Sequence, residues 1–264
     1  MASANPMAAL FSLAGRTALV TGGTSGLGEM FARGLLLAGA RVFITGRDKA
    51  KADAAAAALA SEVGEGADCR AFAVDLANDA SLEGLVAEVT AQAPDLSILV
   101  NNAGITAHAP FGEYPAAHFD ALLDLNVKAP FMLAQGLYPV LRSNASSARP
   151  AHILNVGSIA GLVTTTPGSF AYGPGKAAVH HMTRVLARKL APDRICVNAV
   201  APGLFPSRMS AWVVDDPATL KTTLGQIPLG RTGEPDDLAR LIIYIASSSY
   251  MTGAIITLDG GLAL

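Results

Sequence analysis

The feature that most constrains the fold is a glycine cluster between an apolar run and a helical pattern. Residues 16–21 read RTALVT, residues 22–28 read GGTSGLG, and an apolar helical pattern runs from Glu29 through Ala38. Glycine permits positive φ and close approach of a ligand to the backbone. A helix N-terminus offers free N–H groups and a positive dipole end to phosphates. A flexible surface loop is the alternative, but the flanking strand and helix favour a dinucleotide site.

Strand-like runs alternate with helical patterns along the whole chain. Most of these runs are near-continuously apolar, as expected for parallel strands covered on both faces. They are Thr17–Thr21, Arg41–Thr45, Cys69–Val74, Ser97–Val100, Ala151–Val156, Arg194–Val200 and Ala254–Leu258. Asp48 is a good N-cap for the second helix. The β-α-β-α order predicts an α/β protein with a doubly wound Rossmann fold, a parallel seven-stranded sheet and helices on both faces.

Composition limits the other possibilities. The chain has 264 residues, of which 51% are hydrophobic and 15% charged, so it can bury one large core. We expect a flexible tail at residues 1–12 and one domain at residues 13–264. The net charge of −2 indicates neither a nucleic-acid nor a membrane partner. The first dozen residues lack the basic start of a secretion signal, so we expect a cytoplasmic protein. The five histidines show no metal-ligand spacing, and no metal site is expected.

One segment breaks the alternation of strands and helices. Residues 203–226 follow directly on the sixth predicted strand and carry Pro206, Asp215-Asp216-Pro217 and Gly225, which interrupt regular structure. In an open α/β sheet, ligands bind at the carboxyl ends of the strands. This segment is therefore predicted to be a lid over the substrate.

A tyrosine and a lysine stand four residues apart in Tyr172-Gly-Pro-Gly-Lys176, with Ser158 upstream. On a helix these positions share a face. An ammonium beside a phenol favours the phenolate, so we expect the pKa of Tyr172 to fall below its usual value of about 10. Such a tyrosine exchanges a proton with an alcohol or carbonyl oxygen, which the Ser158 hydroxyl can hold in place.

These motifs together resemble the short-chain dehydrogenase/reductase family. The resemblance rests on TGGTSGLG at 21–28, NNAG at 101–104, Ser158, Tyr172 with Lys176, and Pro202-Gly203, in the family's order and spacing. It covers the chain from about Leu13 to its end. FPSRM at 205–209, with FSLAG at 11–15 and Tyr172-Gly-Pro, is similar to the 3-oxoacyl-ACP reductase-like branch that includes the rhamnolipid-associated reductases.

The resemblance implies a set of site residues. The catalytic residues would be Asn126, Ser158, Tyr172 and Lys176. The cofactor would contact Gly22, Thr24, Ser25, Gly26, Leu27 and Gly28 of the glycine loop, then Arg47, Asp75, Leu76, Asn102, Ala103 and Gly104. Tyr172, Lys176, Pro202, Gly203 and Ser207 complete the implied cofactor set. Ser207 stands where the family often has a threonine.

The end of the second predicted strand bears on the choice of cofactor. NAD-preferring dinucleotide folds usually carry an acidic residue there, but Gly46 occupies the position and Arg47 follows it. A guanidinium pairs with a 2′-phosphate through forked hydrogen bonds, which favours NADP(H) over NAD(H). Asp48 could approach the ribose, but it suits a helix N-cap better. Ser25 stands where NADP-preferring relatives often have a basic residue, which weakens the preference.

Asn126 permits an argument from the backbone. Pro130 lies four residues later in a helical pattern and has no N–H to bond the Asn126 carbonyl. That carbonyl is then free to bind a water linked to Lys176, which would give a proton path to solvent. A helix kink without catalytic use is the alternative.

The leading function is therefore an NADPH-dependent ketone reductase acting on 3-oxoacyl thioesters or on a broad range of carbonyl compounds. A sugar or polyol dehydrogenase similar to gluconate 5-dehydrogenase is the second reading. A non-catalytic dinucleotide-binding regulator is the third, against which the intact Ser-Tyr-Lys set argues. Phe111, Tyr114, Phe170, Phe205 and Trp212 could line an apolar pocket, and Arg208 could anchor an anionic group. From the resemblance we expect a homotetramer, or failing that a dimer.

Overall fold

Seven parallel strands form one sheet in the computed structural model, which describes residues 6–164 and 168–264. The strands are β1 (Thr17–Val20), β2 (Arg41–Gly46), β3 (Cys69–Ala73), β4 (Leu96–Asn101), β5 (Ala151–Val156), β6 (Ile195–Pro202) and β7 (Ile255–Leu258). Their order across the sheet is β3-β2-β1-β4-β5-β6-β7. The chain changes direction across the sheet between β1 and β4, which opens a crevice at their carboxyl ends. The predicted Rossmann fold is confirmed.

The predicted strand positions agree with the structure to within two residues. The sixth strand was predicted to start at Arg194 but starts at Ile195, because Arg194 adopts a left-handed conformation with φ of 60°. The same strand continues beyond the predicted Val200 to Pro202, which pairs with Leu258 of β7. Proline is tolerated there because it stands at the end of the strand.

Ten α-helices lie within the described residues. They are α1 (Pro6–Phe11), α2 (Gly26–Leu37), α3 (Lys49–Val63), α4 (Asp79–Gln92), α5 (Ala116–Leu123), α6 (Ala129–Ser143), α7 (Tyr172–Leu190), α8 (Ala211–Val214), α9 (Pro217–Leu224) and α10 (Pro235–Ser247). Phe31 of α2, Leu59 of α3 and Leu238 of α10 belong to the core on one face of the sheet. Leu85 of α4 and Leu133 of α6 belong to the core on the other.

Local sequence explains where α3 begins. The side chain of Asp48 accepts a hydrogen bond of 2.9 Å from the backbone N–H of Lys51. This confirms the predicted N-cap, which satisfies one of the unpaired donors of the first helical turn. Within the helix only Ala52, Ala56 and Leu59 are buried, at the three-to-four-residue spacing of one helical face.

The segments predicted to be a flexible tail and a substrate lid both contain short helices. Helix α1 lies within the predicted tail at residues 1–12, whose first five residues fall outside the described ranges; the mobility of this tail stays a prediction. Helices α8 and α9 lie within the predicted lid at residues 203–226. In the described part of the chain, no helix is long and apolar enough to cross a membrane, and no cluster of metal-ligating side chains occurs.

The packing of α2 on α10 generates a prediction about stability. A Cβ added to Gly34 would lie 2.8 Å from the Cα of Ala239 and 2.8 Å from the Cγ2 of Ile242. Gly34→Ala should therefore lower the free energy of unfolding by about 1–3 kcal/mol, because the two helices must move apart. Chemical denaturation measures the difference.

The control is the same substitution in an open position. Gly84 lies exposed in α4 with no atom within 4 Å of an added Cβ, so Gly84→Ala should raise the free energy of unfolding by about 0.5–1 kcal/mol. Equal effects at the two positions would contradict the packing argument.

Candidate active site

The glycine loop joins β1 to α2 and needs glycine for two different reasons. Gly22 and Gly26 have φ of 64° and 59°, which residues with a side chain rarely adopt. Gly28 has no space, because a Cβ there would lie 2.2 Å from the carbonyl oxygen of Gly22 and 2.5 Å from the Asn102 amide nitrogen. The loop therefore presents bare backbone at the crevice between β1 and β4.

The residues present fit a bound diphosphate. Ser25 is the N-cap of α2 but makes no capping hydrogen bond through its side chain, so it leaves the N–H groups of the first turn to an outside acceptor. Ser207 comes from the segment after β6, and its Cβ would lie 3.2 Å from a Cβ added to Gly26. A helix N-terminus framed by glycine and a hydroxyl is a site for an anionic group. Thr24 and Leu27, also predicted to contact the cofactor, belong to this same half-buried loop.

Thr21 ties the loop to the end of β4. Its hydroxyl oxygen accepts hydrogen bonds of 2.9 and 3.0 Å from the backbone N–H groups of Asn102 and Ala103. The side-chain amide of Asn102 donates to the Thr21 carbonyl at 2.8 Å. Sequence reasoning placed Asn102 and Ala103 in the site but missed Thr21. The sequence feature that could have identified Thr21 is a hydroxyl residue directly before the glycine cluster.

Arg47 lies at the carboxyl end of β2, as predicted. It is exposed and makes no ion pair with another described residue. Together with Asp75 and Ser81 it lines a cleft of about 280 Å³. Asp75 itself accepts a hydrogen bond from the N–H of Ala77, and Leu76 is buried beside it. Arg47 is the one cation among the residues that line this cleft, whose other charged side chains are the carboxylates of Asp75 and Glu88.

Ser158 follows β5 and meets the start of α7. It caps a short 3₁₀ turn, Ile159–Gly161, in which its hydroxyl oxygen accepts from the N–H of Ala160 at 3.1 Å. Its side chain also lies close enough to the hydroxyl of Tyr172, the first residue of α7, to lower the pKa of that phenol. The structure therefore brings together the serine and tyrosine that the sequence paired.

Lys176 lies one turn further along α7 and is buried. Its ammonium donates a hydrogen bond of 2.7 Å to the carbonyl of Val156, the last residue of β5. The nitrogen lies 5.5 Å from the centre of the Tyr172 ring. Burial lowers the pKa of Lys176 to about 8, which leaves it mostly protonated at neutral pH.

The predicted direction of the Tyr172 pKa is wrong. Burial raises the pKa of the phenol, and the hydrogen bond from Ser158 offsets only part of that effect. The sequence argument considered the charge of Lys176 but not the cost of placing a phenolate in a poorly hydrated position. Tyr172 is therefore a protonated phenol at neutral pH.

The segment that carries Asn126 packs against α7, since a Cβ on Gly175 would lie 3.8 Å from the side chain of Val127. Its side chain is buried, accepts from the N–H of Ile105 and donates to the carbonyl of Ile105, both at 2.9 Å. A Cβ on Gly104 would lie 3.0 Å from the Asn126 side-chain oxygen, so this glycine permits the contact. The backbone at Asp124–Lys128 is π-helical, directly before Pro130. The proposed water relay from the Asn126 carbonyl stays a prediction.

The segment after β6 completes the site. Gly203 donates its N–H to the carbonyl of Leu258, and a Cβ on it would lie 2.7 Å from the backbone of Asp259. It therefore continues from Pro202 beside the last strand. Ser207 and Ser210 then form a turn in which the two hydroxyl oxygens lie 3.1 Å apart. The chain leaves this turn into α8 and α9.

Comparisons with known proteins agree with this geometry. Residues 22–263 match a family model described as enoyl-(acyl carrier protein) reductase. The rhamnolipids biosynthesis 3-oxoacyl-[acyl-carrier-protein] reductase of Pseudomonas aeruginosa is 45% identical over 96% of this chain and 98% of its own.

Solved structures of similar proteins also match this chain over nearly its whole length. A Pseudomonas aeruginosa RhlG/NADP active-site complex is 44% identical, with a TM-score of 0.92 over 97% of this chain and 99% of that one. A gluconate 5-dehydrogenase of Burkholderia cenocepacia, in complex with NADP and tartrate, is 31% identical, with a TM-score of 0.87 over 96% and 98% of the two chains. The chain therefore belongs to the short-chain dehydrogenase/reductase family of oxidoreductases, which act on CH–OH and C=O groups.

Proposed function

We propose that this protein is an NADPH-dependent reductase of ketone carbonyls, with Tyr172 as the proton donor. The observation that carries the proposal is the grouping of Ser158, Tyr172 and Lys176 at the carboxyl end of β5, near the glycine loop. A non-catalytic dinucleotide-binding regulator would have no use for a phenol held by a serine and a buried lysine. An enzymatic function therefore accounts for more residues of this site than a regulatory function does.

Each side chain of this group has a separate task. The Ser158 hydroxyl donates a hydrogen bond to the carbonyl oxygen as negative charge develops on it. Tyr172, whose pKa burial raises, remains protonated and donates its proton to that oxygen. The Lys176 ammonium, 5.5 Å from the ring centre, stabilises the phenolate left behind. A bound nicotinamide supplies the hydride.

The cofactor preference follows from Arg47. Its guanidinium is exposed at the cleft shared with Asp75 and is free of any ion pair with the described residues. It can hold a 2′-phosphate through charge-assisted hydrogen bonds, and Asp48 is not available for the ribose because it caps α3. The RhlG structure and the gluconate 5-dehydrogenase structure both contain NADP.

The substrate is an apolar ketone, and 3-oxoacyl thioesters are the class we favour. Phe170 packs edge-to-face against Phe111 and Tyr114, with ring centres 5.3 and 5.7 Å apart. Phe111 is 83% exposed, so this aromatic cluster offers apolar surface beside the start of α7. Phe205, by contrast, is buried against Gly233 and belongs to the core.

A sugar or polyol dehydrogenase is the second candidate, supported by the gluconate 5-dehydrogenase likeness. The exposed aromatic cluster favours the apolar substrate over this one. A panel of simple ketones, 3-oxoacyl thioesters and keto sugars, each assayed with NADPH and with NADH, separates the two candidates.

Tyr172→Phe tests the reaction centre. We expect kcat to fall at least 100-fold while NADPH affinity stays nearly unchanged, because the change removes the transferable proton and little volume. Single-turnover kinetics and cofactor titration measure the two quantities. A variant that keeps more than about a tenth of the wild-type kcat would leave the phenol less than roughly 1.4 kcal/mol of barrier lowering, which contradicts the assigned role.

Arg47→Ala tests the cofactor preference. The affinity for NADPH should fall about tenfold or more, because a charge-assisted, forked hydrogen bond to the 2′-phosphate is lost. The affinity for NADH should stay within about twofold, since that cofactor lacks the phosphate. Lys49→Ala, at an exposed position nearby, is the control. Equal losses for both cofactors would mean that Arg47 contacts the ribose they share or that it stabilises the fold.

We also propose that α8 and α9 close over the substrate. Phe205 anchors the start of the segment, because its ring fills the space of a Cβ on Gly233. Beyond it, α8 buries only Val213 and α9 buries none of its residues. Few buried apolar contacts permit local opening at low cost. Closure would exclude water from the reacting carbonyl.

Trp212 reports on this motion. It is the only tryptophan of the chain, lies in α8 and is 61% exposed. Adding NADP⁺ and a non-reducible substrate analogue should shift its emission and slow amide exchange across residues 203–226. Trp212→Phe gives the background signal. Unchanged emission together with unchanged exchange would identify the segment as a rigid cap.

A further inference from the structure

His180 is a buried side chain of α7 that the proposed reaction does not use. It lies one turn after Lys176 on the same face of the helix and is 3% exposed. We infer that His180 is a positioning residue that holds the backbone of Ser158 against α7 and so fixes the Ser158 hydroxyl beside Tyr172. This inference rests on the proposed role of Ser158.

The contact runs from the imidazole to the main chain of Ser158. The backbone N–H of Ser158 donates to Nε2 of His180, with 3.4 Å between the nitrogens. The Ser158 N–H is thereby satisfied by a side chain from the helix that also carries Tyr172. A displacement of the imidazole would therefore move the serine relative to the tyrosine.

Two glycines make room for the imidazole. A Cβ on Gly157 would lie 2.0 Å from Nε2 of His180, and a Cβ on Gly161 would lie 2.9 Å from its Cε1. The ring thus occupies space between the two ends of the turn that carries Ser158. Any larger residue at Gly157 would expel the ring from this position.

The protonation state suits a hydrogen-bond acceptor. Burial, followed by the charges of Lys176 and Arg184, lowers the pKa of His180 to about 4, while the backbone of Gly161 raises it. The ring is therefore neutral at neutral pH. Since Nε2 accepts from Ser158, the single ring hydrogen belongs on Nδ1.

The turn is held to α7 at a second point by Lys176, which donates to the carbonyl of Val156. The lysine fixes the residue before Gly157 and the histidine fixes the residue after it. An apolar side chain at position 180 would fill the space but leave the Ser158 N–H without a partner. His180 therefore acts through its acceptor nitrogen Nε2, and not only through the volume of its ring.

The test compares variants that keep or lose this acceptor. His180→Gln can place its amide oxygen near the position of Nε2, whereas His180→Asn can place its oxygen only near Nδ1. His180→Leu has no acceptor. We expect kcat to fall about tenfold for Leu and Asn but less than about threefold for Gln, with KM and Kd for NADPH unchanged in all three. His181→Leu, at the exposed neighbouring position, should behave as wild type.

A double-mutant cycle with Ser158→Ala separates positioning from packing. Ser158→Ala alone should lower kcat about 100-fold, and His180→Leu should then cost less than about twofold in that background. Full additivity of the two changes would overturn the inference. So would equal activities of the folded Gln and Asn variants, which remain comparable even if His180→Leu does not fold. A Ser158→Ala variant with normal activity would instead overturn the proposed role of Ser158.

A readout independent of turnover is the tautomer of the ring. In protein labelled with ¹⁵N-histidine, the signals that disappear in His180→Gln belong to His180. They should show an unprotonated Nε2 and a hydrogen on Nδ1 at neutral pH. A protonated Nε2 would rule out the hydrogen bond and with it the inference.

Discussion

The active site depends on direct contact between the backbone of α7 and the turn that follows β5. A Cβ on Gly161 would lie 2.7 Å from the N of Ala177, and a Cβ on Gly173 would lie 2.9 Å from the carbonyl oxygen of Ala160. With glycine at both positions, the two backbones approach closely enough for Ser158 to reach Tyr172. Side chains at either position would separate the two backbones and move these two hydroxyl groups apart.

The same close packing sets the protonation states. It buries the Lys176 ammonium, whose pKa falls to about 8, and it raises the pKa of Tyr172. A phenol that resists ionisation is suited to give up its proton only when an oxygen nearby becomes negative. In the proposed reaction, burial would therefore favour proton donation to the oxygen of a carbonyl under reduction over proton abstraction from an alcohol at neutral pH. The partial offset from Ser158 shows that hydrogen bonding and burial act in opposite directions on the same group.

The sequence was sufficient to predict structural features that depend on a repeating pattern or on neighbouring residues. The apolar runs located all seven strands, and Asp48 marked the start of α3, because periodicity and capping depend on neighbouring residues. The direction of the Tyr172 pKa was not predictable from the spacing of Tyr172 and Lys176, since burial is a property of the assembled site. His180 was not singled out, because the five histidines show no metal-ligand spacing. Its contact with Ser158 joins residues that meet only after β5 and α7 pack.

Apolar packing alone does not fix where α7 lies along the sheet, because such contacts are not directional. Polar contacts between α7 and β5, supported by a contact from β4, supply that constraint. Asn101 of β4 donates to Asn155 of β5 at 2.9 Å, and Asn155 donates to the hydroxyl of Thr183 on α7, also at 2.9 Å. All three side chains are buried, so a shift of the helix would leave the Asn155 side-chain N–H without its partner on Thr183.

These contacts act together with the lysine near the other end of the helix. Lys176 bonds the carbonyl of Val156, and Thr183, about two turns later, bonds the side chain of the preceding residue, Asn155. These two directional contacts hold α7 against the carboxyl end of β5. An error of about 1 Å in the placement of a catalytic group can cost 100-fold in rate, so these contacts would support the proposed reaction without touching substrate. The buried polar residues of the sheet thus help to set the position of α7 and, with it, the position of the Tyr172 hydroxyl at its start.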